Sequence, residues 1–220
     1  MSMFHGLSAF PITPTDAQGR VLADDLRRLL TRLVEAEVHS IGLLGSTGTF
    51  PYLDRTQRRR AIEVAVDHVG GRVPILTGIG ALRTDETVRF GEDAKAAGAD
   101  AVLVAPVSYL PLTEDEVFEH IETVAAAVGL PLCIYNNPIT THFTFSPELI
   151  GRLSRVENVV AVKTPAPDAA AVAANLAELR ARTGAGFAIG YSADRNAAEA
   201  VLAGGEAWYS VIGGTFPRIA

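Results

Sequence analysis

Ala101-Val-Leu-Val-Ala105 and Val159-Val-Ala-Val162 are unbroken apolar runs of strand length. A strand with one face in water alternates apolar and polar residues; a strand of a parallel sheet, covered on both faces, does not. Both runs therefore predict parallel strands in a buried sheet. Further runs at 7–12, 40–44, 73–78, 130–135, 186–189 and 207–212 bring the set to eight, with the second quoted run extended to 159–163. The segments 22–36, 54–69, 84–97, 113–128, 146–153, 169–182 and 194–203 carry helical spacing between them. Asp54, Thr84, Thr113 and Ser146 suit helix N-caps, Pro147 suits a first helical turn, and Gly70, Gly98, Gly129, Gly184 and Gly204 suit helix ends.

Strict alternation of eight strands with helices predicts one α/β domain over residues 1–220, a (β/α)8 TIM barrel in preference to an open doubly wound sheet. No linker, low-complexity block or change of composition marks a second domain. The chain ends just beyond the eighth strand, so the expectation is a barrel truncated there and lacking its eighth helix, in a chain shorter than the natural subunit or reliant on a partner.

Composition narrows the partners. With 19 basic against 25 acidic residues the formal charge is −6, which disfavours nucleic acid; the basic cluster Arg58-Arg59-Arg60 reads as a solvated helix face. No stretch approaches the ~18 apolar residues that span a bilayer, and no signal-peptide pattern opens the chain. A single cysteine, Cys133, forms no internal disulfide and lies in an apolar run, which favours the reducing cytoplasm. Five scattered histidines show no ligand spacing, so no metal is expected, and Gly78-Ile-Gly80 lacks the third glycine of a dinucleotide fingerprint, so no cofactor is indicated.

In a barrel, chemistry belongs at the C-terminal ends of the strands. Four places stand there: Gly45-Ser-Thr-Gly48, Pro106-Val-Ser-Tyr-Leu-Pro111, Tyr135-Asn-Asn-Pro138 and Lys163-Thr-Pro165. An ammonium at the end of VVAV loses hydration, and a desolvated lysine yields a free amine able to attack a carbonyl carbon. The plainer alternative is a lysine whose stem packs along the strand while its head reaches water. Tyr135 can exchange a proton with a substrate oxygen or be a core tyrosine. Ser46, Thr47 and the backbone up to Gly48 can converge on a carboxylate, or on a phosphate, or form a mere turn. Tyr109 and Trp208 read as packing or rim aromatics.

Taken in order, LLGSTGTFPYL (43–53), VPILTGIG (73–80), AKAAGADAVLVAP (94–106), CIYNNP (133–138), VVAVKTP (159–165) and the region of Gly190 make the chain resemble the dihydrodipicolinate synthase/N-acetylneuraminate lyase family of class I aldolases. The resemblance implies that Lys163 forms a Schiff base with pyruvate or another small 2-oxo acid. It implies that Tyr135 shuttles protons with Thr47 as a further catalytic residue, that Ser46, Thr47 and Gly48 hold the oxo-acid carboxylate, and that Ser108, Thr140 and Gly190 contribute to substrate binding. It also implies an aldehyde co-substrate, metal-independent carbon–carbon lyase or aldolase chemistry, and homo-oligomeric, typically tetrameric, assembly. Three positions depart from the family pattern. Thr49 stands where a glutamate is common, and Ser108, with Tyr109 beside it, stands where a relay tyrosine is common. Thr140 stands where the synthases carry an arginine for the second substrate's carboxylate. Two further readings remain beside the general lyase: an authentic synthase joining pyruvate to aspartate semialdehyde, and a non-catalytic 2-oxo acid binding protein.

Overall fold

Eight parallel strands close in chain order: β1 (Gly6–Ala9), β2 (Ser40–Leu43), β3 (Ile75–Gly78), β4 (Ala101–Val104), β5 (Leu132–Tyr135), β6 (Val159–Pro165), β7 (Ala188–Ser192) and β8 (Ala207–Ser210), the last pairing back onto β1. This computed structural model describes residues 3–220. The expected (β/α)8 TIM barrel is the fold, and closure leaves no strand edge exposed. Its helices are α1 (Ala23–Glu35), α2 (Arg55–Val69), α3 (Thr84–Ala96), α4 (Glu114–Val128), α5 (Pro138–Thr141), α6 (Pro147–Leu153), α7 (Val172–Arg182), α8 (Ala197–Leu202) and α9 (Val211–Thr215).

Successive side chains of a strand point to opposite faces, and this divides the interior in two. Outward-facing Val102, Val104, Ile134, Val162 and Ile189 join the helices' apolar faces in the larger core. Inward-facing Leu103, Cys133, Tyr135, Ala161, Ala188, Ala207 and Tyr209 fill the barrel with Phe4, Phe10 and Leu76. Both faces are thus dry, which is why the strands lack polar alternation. The pairing register sets Tyr135 beside Lys163, Lys163 beside Gly190 and Gly190 beside Ala207 across four neighbouring strands.

Local signals place the helices well. Asp54 accepts from Gln57 N at 2.8 Å and Ser146 from Leu149 N at 3.0 Å. Thr113 and Glu116 form a reciprocal capping box, while Gly70 and Gly129 end their helices in the left-handed conformation. Thr84 is a correction: it lies inside α3, Arg83 holds the N-cap position without a side-chain cap, and the Thr84 hydroxyl bonds His120 Nδ1 at 2.9 Å. Arg58 is another. It turns inward at 7% exposure, stacks on Phe50 and Phe90, and donates to the carbonyls of Leu53 and Gly80, so only its neighbours in the triplet fit a solvated face.

The end of β8 also differs from expectation. Pairing stops at Ser210, and the segment expected to extend the strand to residue 212 turns into α9. Ser210 Oγ accepts from Gly213 N at 2.8 Å, and the Asp194 carboxylate accepts from Ile212 N at 2.8 Å and Trp208 Nε1 at 3.0 Å. Side-chain acceptors at a helix start satisfy donors that would otherwise continue a strand ladder.

Barrel closure is tightest where β3 passes the loop after β2. A Cβ on Gly78 would overlap the carbonyl oxygen of Leu44, a backbone atom with no rotamer to yield. Gly78→Ala is expected to cost about 3 kcal/mol or more in denaturant-unfolding stability; a midpoint matching the parent's would show that the loop yields freely.

Candidate active site

Lys163 projects inward near the C-terminal end of β6, only 4% exposed. Its Nζ lies 3.6 Å from the ring centroid of Phe10, 4.2 Å from that of Tyr135 and 5.7 Å from that of Tyr209. Among the described residues no carboxylate lies within ion-pairing distance of this amine. Aromatic faces attract a cation but do not replace the water it has lost. Burial accordingly lowers its pKa from the usual lysine value to about 7, opposed by weaker attractions from Cys133 and Asp194. A substantial fraction of neutral amine is therefore present near neutral pH.

Three glycines make room for the cage. A Cβ on Gly42 or Gly45 would collide with the Phe10 ring, and one on Gly190 with the Tyr209 ring. Gly190 thus has a definite task, giving Tyr209 passage beside Lys163. Tyr209 meets Phe10 edge-on, with centroids 6.0 Å apart, and its hydroxyl sits 3.6 Å from Cys133 Sγ.

Tyr135, one ring of this cage, carries a hydroxyl with polar partners. Its hydroxyl accepts from Asn137 Nδ2 at 2.9 Å and shares a 3.4 Å hydrogen bond with Ser46 Oγ; Asn137 Nδ2 also donates to Ser46 Oγ at 3.3 Å. Burial raises the phenol's pKa, and the bonds from Ser46 and Asn137 oppose that rise by favouring the charged oxygen. Beneath it, Asn136 donates its amide to Thr164 Oγ1 at 3.0 Å and its backbone N–H to Lys163 O at 2.9 Å, tying the ends of β5 and β6 together.

The Gly45–Gly48 loop reaches this point by a tight fold. Leu44 and Thr49 flank it with φ of 52° and 53°, an uncommon left-handed conformation for residues with side chains. Thr49 N donates to Ser46 O at 3.1 Å, and Gly48 packs against Thr13 and the Leu44 backbone. Ser46 is thereby delivered to Tyr135. Thr47 occupies the same turn, half-buried, with no side-chain hydrogen bond among the described residues.

Ser108 and Thr140 have local partners instead. Ser108 Oγ donates to Leu110 O at 2.6 Å and accepts from Leu110 N at 3.2 Å. Thr140 is exposed, and its hydroxyl donates to Asn137 O at 3.4 Å. Tyr109 is a rim residue, 92% exposed. The sequence reading missed Phe10, Asn137 and Tyr209 as members of the site. Strand ends were its guide, and Phe10 follows the last residue of β1 while Asn137 lies in the quoted Tyr-Asn-Asn-Pro turn; nothing in residue type alone singles them out.

Among the described residues no three His, Cys, Asp or Glu side chains gather closely enough to hold a metal ion. An amine with no carboxylate beside it among the described residues, a phenol and a hydroxyl-bearing loop stand together at the C-terminal end of the barrel. The profile of the dihydrodipicolinate synthetase family matches residues 3–220. The chain belongs to that family. It is a lyase of the dihydrodipicolinate synthetase family, with relatives of the same kind in several bacteria. The 4-hydroxy-tetrahydrodipicolinate synthase of Methylococcus capsulatus is 34% identical over 217 residues, covering 99% of this chain and 73% of the relative. That of Pseudomonas aeruginosa is 34% identical over 216 residues, covering 98% and 73%. Among solved structures, the dihydrodipicolinate synthase of Agrobacterium tumefaciens superposes with a TM-score of 0.96 at 55% identity, covering 98% of this chain and 73% of the other. The Acinetobacter baumannii dihydrodipicolinate synthase, solved in complex with pyruvate, gives 0.89 at 29% identity, covering 98% and 72%.

The lowered lysine pKa makes a thermodynamic prediction. Between about 7 and the unfolded value near 10.5, the unfolded chain holds a proton that the folded chain has released, so Lys163 makes stability rise with pH there. Lys163→Met removes this contribution. Relative to the parent, the variant's stability advantage should be fullest below pH ~7 and shrink by about 1.4 kcal/mol per pH unit above it. Parallel denaturant titrations across that range would reject the buried-amine account if the two curves kept a constant separation.

Proposed function

We propose that the chain is a metal-independent Schiff-base aldolase or lyase acting on pyruvate or another small 2-oxo acid. The observation that carries this reading is the Lys163 amine, enclosed by aromatic rings with no carboxylate beside it and pKa lowered to about 7. The neutral nitrogen attacks the keto carbon, the carbonyl electron pair moves to oxygen, and loss of that oxygen as water leaves a protonated imine. The imine draws electrons from the adjacent carbon, so a proton leaves it and the resulting enamine attacks an aldehyde carbon; cleavage is the reverse. That electron sink supplies the activation for which other aldolases use a metal.

Tyr135 is placed to give the departing oxygen its proton and to move protons in the later steps. Ser46, Thr47 and the Gly48 backbone are the proposed carboxylate holders, and Gly190 shapes the cavity through Tyr209. Ser108 belongs to the loop after β4 and Thr140 to the short helix α5 after β5. With Thr140 supplying a hydroxyl and no cation, recognition of a carboxylate-bearing aldehyde must come from elsewhere, and the reading does not extend to aspartate semialdehyde. The pyruvate bound in the Acinetobacter relative supports the choice of first substrate.

Borohydride reduction in the presence of pyruvate, followed by peptide mass spectrometry, is expected to leave the reduced adduct on Lys163 and none in Lys163→Ala. An unmodified Lys163 across a panel of 2-oxo acids overturns the proposal.

Homo-oligomeric assembly belongs to the same reading, with a tetramer as the family's usual form. Tyr52, Leu82, Tyr109, Leu110 and Ile139 are large, exposed apolar residues in the segments that follow β2, β3, β4 and β5. Large apolar side chains left in water on one end of the barrel favour burial against another copy. Analytical ultracentrifugation should give a mass of more than one chain; a monomer at every accessible concentration contradicts it. A cytoplasmic location fits the lone, unpaired Cys133, and among the described residues no helix is long and apolar enough to cross a membrane.

A further inference from the structure

A buried phenol that exchanges protons must be held in one orientation, and the sequence offers Ser108 and Tyr109 for that task. Neither holds Tyr135. Ser108 spends both its donor and an acceptor on Leu110, and Tyr109 stands in solvent. The groups that do meet the Tyr135 oxygen are Ser46 and Asn137.

Asn137 is unusually well anchored for a residue at a strand-to-helix junction. It precedes α5, and its carbonyl oxygen accepts from Thr140 N and Thr141 N, both at 3.0 Å, and from Thr141 Oγ1 at 3.0 Å. Thr140 Oγ1 adds a longer bond at 3.4 Å. Thr141 is itself buried and also accepts from Phe143 N at 3.3 Å, joining this anchor to the next segment. The backbone of Asn137 is thus fixed from its C-terminal side, and its side chain reaches back to the site. A carboxamide nitrogen carries two hydrogens and accepts nothing. One hydrogen is directed to the phenol oxygen and the other to Ser46 Oγ, leaving the phenol's own proton free for Ser46 or for a substrate oxygen.

We propose that Asn137 is a positioning residue of this site, its anchored amide tying the Tyr135 phenol to Ser46 and so holding that ring against the Lys163 amine. The proposal rests on the Schiff-base reading above. It also gives Thr140 a role in bracing Asn137 in place of direct substrate contact. A donor aimed at the phenol oxygen favours the phenolate that remains when the proton is passed on. Its loss both loosens the ring and makes that proton harder to release.

Two variants test this: Asn137→Ala, which deletes the donor, and Asn137→Asp, which keeps the side chain's size and supplies a carboxylate that cannot donate. Ultraviolet difference titration, with the Tyr135→Phe chain subtracted, reads the ionisation of Tyr135 independently of any substrate. It is expected to move to higher pH in both variants, further in Asn137→Asp. The rate of borohydride-trapped pyruvate addition to Lys163 should fall on the order of tenfold, as for loss of one hydrogen bond, with its pH profile displaced in the same direction. Asn137→Gln, which retains the donor, should recover part of the rate. Normal trapping by the parent with an unmoved Tyr135 titration in both variants overturns the role of Asn137, as does slower trapping with an unchanged pH profile. A parent chain that traps no pyruvate overturns the Schiff-base reading itself.

Discussion

Everything distinctive about this barrel follows from one unfavourable placement, a lysine amine taken out of water without a counter-ion. Most buried charges are paired. Here Phe10, Tyr135 and Tyr209 surround the nitrogen, and lost hydration outweighs the weaker attractions of Cys133 and Asp194. Folding tolerates this because the proton can leave: a neutral amine costs far less to bury than an ammonium. The same fact that relieves the fold makes the nitrogen nucleophilic, so stability and reactivity are two consequences of one desolvation.

That placement depends on closure of the strand ring. Lys163 faces inward because β6 alternates and because Val162 on its other side belongs to the helix-facing core. Tyr135 and Gly190 are its lateral neighbours because β5 and β7 pair with β6 in the observed register. A slip of one residue would turn the lysine out toward the helices. The glycines beneath Phe10 and Tyr209 serve the same end, since a single methyl group at Gly42 or Gly190 would displace a ring that excludes water from the amine.

Polar contacts at the mouth tie its segments together. The Tyr135, Asn137 and Ser46 triangle joins the ends of β5 and the loop after β2, while Asn136 and Thr164 join the ends of β5 and β6. Asp194 reaches from the segment after β7 to the first turn of α9 and the Trp208 indole. Apart from the local Asn137–Tyr135 bond, each of these crosses between separate chain segments, so the mouth is shaped by the barrel and in turn fixes the geometry of its loops. Arg58 shows how far such packing overrides local pattern: within a basic triplet it is the aromatic pair Phe50 and Phe90, supplied by other elements, that draws one guanidinium inside.

By itself the sequence determined the βα rhythm, the helix starts at Asp54, Thr113 and Ser146, and the presence of Lys163, Tyr135 and the Gly45–Gly48 loop at strand ends, because periodicity, capping and strand termination are local properties written in neighbouring residues. Only the tertiary structure decided what those groups touch. Phe10 and Tyr209 are ordinary strand-end aromatics until β1 and β8 meet, Asn137 is one turn residue among several until closure brings the end of β5 to the loop after β2, and Ser108 looks like a relay group until its hydroxyl is seen to be satisfied within its own loop. Desolvation, ring stacking and hydrogen-bond choice depend on distances between segments far apart in the chain, and those distances exist only once the ring of strands has closed.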